Sequence, residues 1–165
     1  MAISAFAALW FLPCVVPICL YVAYTDLAFM KITNKTVLTL GAVYLALGPF
    51  VLPSLEVYLW GLAQFAVVLV AGIALNAAGV MGAGDAKFLA FAAPYINIAD
   101  ISSVMIILAA VLLASVVTHR AVRATRLRTL APQWESWTQG KRFPMGLALG
   151  PSLALYLCLG ALNGA

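Results

Sequence analysis

Charge is what this sequence has least of. Charged residues make up 8% of the 165 positions, against about 25% in a typical soluble domain. Hydrophobic residues make up 65%, and mean hydropathy is +1.09. These values exclude a soluble globular domain and a disordered chain. Cysteine is also scarce. Cys14, Cys19 and Cys158 lie inside apolar stretches and form no CxxC pair. That excludes a disulfide scaffold and reads each as a small buried packing residue. The single histidine, His119, shares no metal-ligand spacing with the acids, so neither a metal nor a cofactor is expected. What remains is an integral membrane protein. Its apolar stretches are long and continuous, unlike the short alternating segments of a membrane barrel. The expected fold is all-α: a polytopic transmembrane helical bundle with about six spans.

The few charges divide the chain. Residues 1–25 are an uncharged first span, read as retained because no basic stretch precedes it. Spans at 37–55, broken near Pro49 and Pro53, and at 57–79 follow. Segment 88–99 is apolar but, as a helix, reaches only about 18 Å, short of the hydrocarbon core. Further spans cover 101–118 and 144–162. All nine bases fall in 26–36, 80–87 or 119–143, while Glu56 and Asp100 fall between the other spans. If the short fourth segment crosses, every base lies on one side. The positive-inside rule then puts the basic loops in the cytoplasm and both termini outside. The basic pI of 9.2 thus reflects topology and anionic lipid head groups rather than nucleic acid. The whole chain, 1–165, is expected to be one membrane-embedded domain.

Two acids stand beside apolar spans on the basic side, Asp26 and Asp85. A carboxylate near hydrocarbon is costly unless it faces a polar site. Two of them on one leaflet suggest a shared site. Carboxylates held close together do not both ionise readily, so one serves as base on a water while the other holds a proton. Gly82 and Gly84 precede Asp85 in Gly82-Ala83-Gly84-Asp85-Ala86-Lys87 and are expected to provide unusual backbone angles or close approach. If Asp85 opens a short helix, free N–H groups lie beside it. Gly72, Gly79, Gly146 and Gly150 are read as close-packing positions, Asn76 as an interhelical hydrogen-bonding residue, and Trp134 and Trp137 as interface aromatics.

The run from Met81 to Phe88 resembles the GxGD motif of membrane aspartyl proteases, in the GxGDxK form of prepilin peptidases. Asp26 with Ile32 and Asn34 is similar to that family's first motif, although Thr33 stands where proline is usual. Lys141-Arg142-Phe143-Pro144-Met145-Gly146 looks like the start of its last helix, with Met145 in place of tyrosine. The resemblance is nearest to the short form of tight-adherence (Flp) pilus systems and includes no N-terminal methyltransferase domain.

It implies an aspartic endopeptidase of the inner (cytoplasmic) membrane that cuts the leader from prepilin-like substrates at the cytoplasmic face. Asp26 and Asp85 would be catalytic, and Gly82, Gly84, Lys87, Asn34, Pro144 and Gly146 would bind substrate or shape the site. The substrate would carry a basic leader ahead of an apolar helix. A preflagellin-type peptidase of the same mechanism is the alternative within the family. Outside it, the rivals are a small transporter or channel using the two aspartates as an ion site, and a non-catalytic assembly scaffold.

Overall fold

The computed structural model describes residues 1–140 and 142–165; of the sequence motifs, only Lys141 lies outside them. Six α-helices and four 3₁₀ turns make an all-α bundle, with no strand among the described residues. The helices are α1 Ala5–Phe29, α2 Asn34–Val51, α3 Leu55–Ala77, α4 Ala83–Ala92, α5 Ile101–Ala124 and α6 Gly146–Asn163. Five are long and apolar enough to cross a membrane, and α4 is the short one. Helices are the economical solution for such a chain, because each satisfies its backbone N–H and C=O groups internally where no water does so.

Helix ends follow local chemistry. Thr33 caps α2: its hydroxyl accepts from Thr36 N–H at 3.3 Å. Ser54 caps α3 in the same way through Val57 N–H. After α3, Gly79 takes φ +72°, Gly79 N–H reaches Asn76 O, and Val80 N–H reaches Leu75 O. This paired closure needs a left-handed residue, which glycine adopts without strain. Gly79 is therefore a terminator in open space, not the close-packing residue expected. Asn76 likewise closes this turn, donating from Nδ2 to Met81 O at 2.8 Å, rather than joining two helices.

Other expectations shift. α1 continues past Asp26 to Phe29, because no breaker intervenes. α2 runs through Pro49 to Val51 without breaking there; the carbonyl deprived of its partner is tolerated inside a membrane helix. α5 extends through His119 to Ala124. Cys14 and Cys158 are exposed and only Cys19 is buried, since the first two point off the packed faces.

The core lies between α1 and α6, with α2 beside α1 and α4 covered by α3. Small residues let α1 and α6 approach: a Cβ on Gly150 would collide with the carbonyl oxygen of Cys19. An aromatic cluster of Phe11, Tyr44, Tyr58 and Tyr95 ties α1, α2, α3 and the turn after α4 together. Tyr95 donates its hydroxyl hydrogen to Leu40 O at 2.6 Å. The outer helices bury almost nothing. Only Gly61 and Gly72 of α3 and His119 of α5 are buried, while Val67, Ile73, Ile106 and Leu113 are exposed. Helices that are apolar all round belong in lipid.

The two chain ends meet each other, and the N-terminal one meets the start of α5. Asp100, 5% exposed, accepts from Ala2 N–H at 2.8 Å, Ile3 N–H at 2.9 Å and the Tyr156 hydroxyl at 3.0 Å. Ala5 N–H donates to Ala165 O. This acid, which the sequence places only between two spans, clasps one end of the bundle. Asp26 lies at the other end of α1, a helix of 25 residues and hence about 37 Å long.

Candidate active site

Asp26 sits in the last turn of α1 and is 6% exposed. Its Oδ2 accepts the backbone N–H of Gly146 at 2.6 Å. Gly146 is the first residue of α6, so the carboxylate occupies the positive end of that helix, where an N–H has no helical partner. Met145 and the fully buried Pro144 lead into it. The glycine is required by space: a Cβ there would lie 2.8 Å from Asp26 Cβ and 3.1 Å from Val22 Cγ1.

Met30 ends α1 in the left-handed conformation, φ 49° and ψ 39°, with its N–H on Asp26 O. The chain then reverses through Lys31 and Ile32 to the Thr33 cap. At Thr33 the backbone has φ −80°, an angle proline could share, and the threonine hydroxyl supplies a cap that proline lacks.

Asp85 is the third residue of α4, after the extended Gly82 and the helical Ala83 and Gly84. Gly84 does not take the unusual backbone angles considered above. It serves close approach instead: a Cβ would stand 3.3 Å from Ile32 Cβ. That contact sets the first turn of α4 against the α1–α2 loop and brings Asp85 to the Asp26 end of the bundle. Gly82 leaves room for the Asp85 carboxylate, whose Oδ2 would be 2.8 Å from a Cβ at that position. Burial, and next the negative charge of Asp26, push Asp85 up to about 6. Lys87 Nζ donates to Asn34 Oδ1 at 2.9 Å. This bond joins α4 to the first residue of α2 beside the same contact. All the candidate site residues read from the sequence thus lie on three neighbouring segments at one end of the bundle.

The short fourth segment joins this end to the other. Asp85 stands near Asp26, while Asp100 holds Ala2 and Ile3. After Ala92 the chain stretches through two 3₁₀ turns, with Ile96 and Asn97 extended between them. Residues 83–100 then cover roughly 30 Å, more than a helix of only the apolar stretch would.

Sequence reasoning missed an aromatic stack under the site. Trp134 stacks on Trp137, with centroids 5.6 Å apart, and Trp137 stacks on His119 at 4.9 Å. Tyr24 of α1 meets Trp134 edge-on, and Phe143 meets His119 likewise. The stack holds the α5–α6 connection against the end of α1, and its Phe143 stands three residues ahead of Gly146. The paired tryptophans carried a signal, but only folding brings Tyr24 and His119 to them.

The fold defines a polytopic helical membrane protein with two carboxylates gathered at one end. Residues 14–119 match the type IV leader peptidase family, and the chain belongs to that family. The match contains Asp26 and Asp85 and ends before Gly146. No curated protein and no solved structure matches the chain.

Proposed function

We propose that this protein is an aspartic endopeptidase that removes the leader from prepilin-like substrates at the cytoplasmic face of the inner membrane. The observation that carries the reading is the convergence of Asp26, Asp85 and the α6 N-terminus. In this mechanism Asp26 and Asp85 share one proton and titrate as a pair. The ionised carboxylate takes a proton from water, and that water attacks the scissile carbonyl carbon. The protonated carboxyl hydrogen-bonds to the carbonyl oxygen as its charge develops. Collapse of the tetrahedral intermediate breaks the C–N bond, and the departing amine receives a proton from the pair.

Gly146 N–H occupies one oxygen of Asp26 and fixes its plane, so orientation need not be established at each turnover. The Gly146 N–H and the positive end of α6 favour negative charge on Asp26, which leaves the shared proton to Asp85. Lys87 and Asn34 act by holding α4 to α2. The opposite charge character of the bundle's two ends supports a cytoplasmic site, with both termini outside.

The test is co-expression with prepilin-like proteins that carry a basic leader before an apolar helix. The expected result is a faster-migrating product whose new N-terminus lies just before that helix. An uncut substrate set, together with ion flux through the purified protein, would favour a transporter instead.

A further inference from the structure

A groove of about 800 Å³ runs between α1 and α2 on the side of the α1–α2 loop. Its α1 wall is apolar and includes Pro17, Ile18, Tyr21 and Phe29; α2 lines the other side with Asn34 and threonines, and the loop end carries Lys31 and Lys35. The described residues that line it include no acid. Tyr21 is 52% exposed and Phe29 56% exposed, so this wall is not sealed by the protein's own side chains. The two lysines project from the positions on either side of Ile32, Thr33 and Asn34.

We propose that this groove is a discrete binding site for one anionic phospholipid. The phosphate lies against Lys31 and Lys35, and an acyl chain lies along Pro17, Ile18 and Tyr21. Charge selects the occupant. A phosphate gains from both ammonium groups, whereas the basic leader of a prepilin-like peptide would be repelled by them. The apolar wall below the lysines requires an amphipathic ligand rather than a free inorganic anion. Tyr21 suits the boundary, with its ring toward the chain and its hydroxyl toward the head group.

The site lies outside the two carboxylates, but it includes Asn34, the partner of Lys87, and touches the loop that holds Ile32 against Gly84. An occupant therefore also braces the approach of α4 to α1.

Native mass spectrometry of the whole protein, released from micelles with equal amounts of phosphatidylglycerol and phosphatidylcholine, tests this directly. Wild type should retain one phosphatidylglycerol in preference to phosphatidylcholine. The double variant Lys31→Gln/Lys35→Gln should lose that preference by roughly tenfold or more, given the surface attraction of each lysine for anionic lipid. Thr39→Trp fills the groove while leaving both lysines and should also reduce retention. Arg126→Gln/Arg128→Gln removes equal charge elsewhere and should not. Phosphatidylglycerol should raise the thermal midpoint of wild type more than that of the lysine double variant, since a ligand of the folded state stabilises it. Equal retention of the two lipids by wild type would overturn the proposal. So would equal losses in the lysine and arginine variants, or undiminished retention by Thr39→Trp. None of these readouts depends on cleavage, so they stand or fall apart from the peptidase reading.

Discussion

Gly146 donates its backbone N–H to Asp26 across 120 positions of sequence, at 2.6 Å, and the absence of a side chain at Gly146 is what admits the carboxylate. The contact joins the last turn of the first helix to the first turn of the last. It makes the relative position of α1 and α6 a condition for the geometry of the candidate site.

Two glycine variants should separate site geometry from packing. In Gly146→Ala the new methyl presses on Asp26 itself, so cleavage should fall at least tenfold while the protein still inserts and purifies. In Gly150→Ala the methyl meets the Cys19 backbone one turn along. It should cost about 1–3 kcal/mol of stability, the usual range for overpacking. Thermal midpoints and cleavage rates measured on both proteins check the contrast. Equal effects of the two on rate would show that Asp26 is not specially sensitive to position 146.

Much of this was legible in the chain. Long uncharged runs set the helices, and the rarity of charge made Asp26 and Asp85 conspicuous. The glycine-bounded stretch before Asp85 marked a close approach, although the sequence could not say that its neighbour is Ile32. The purpose of Gly79 was hidden because a packing glycine and a helix-ending glycine look alike until the chain's direction is known. Nothing in the sequence marks the role of Asp100, because its partners are the backbone N–H groups of Ala2 and Ile3, which carry no sequence signature. The reach of segment 83–100 from the Asp85 end of the bundle to the Asp100 end depends on unwinding after Ala92, a local extension that hydropathy does not report.

The bond between Lys87 and Asn34 predicts non-additivity. Lys87→Ala and Asn34→Ala should each slow cleavage, and the double variant should be no slower than the worse single, since each removes the same bond. Lys87→Arg should restore part of the rate by reaching Asn34 again. Independent losses that multiply in the double variant would mean that the two side chains act separately.

Asp85 should reduce stability at neutral pH. Its folded-state value of about 6 lies above its ordinary 3.8, so between those values the folded protein binds more protons than the unfolded one. Stability from this group therefore falls as pH rises through that window and stays reduced above it. Asp85→Asn should show a higher thermal midpoint than wild type at pH 7, with the gap closing toward pH 4. A gap that does not change with pH would contradict the environment assigned to Asp85.

The most direct test of the account is the cleavage rate of a prepilin-like substrate by wild type, Asp26→Asn and Asp85→Asn, each with and without EDTA. An amide keeps the size of the carboxyl group but cannot cycle a proton. Each single variant should therefore lose essentially all cleavage while remaining folded in the membrane, and wild type should be unaffected by EDTA. Near-wild-type cleavage by either variant, or wild-type activity that disappears in EDTA and returns with a divalent cation, would contradict the assignment of Asp26 and Asp85 as the proton-carrying pair.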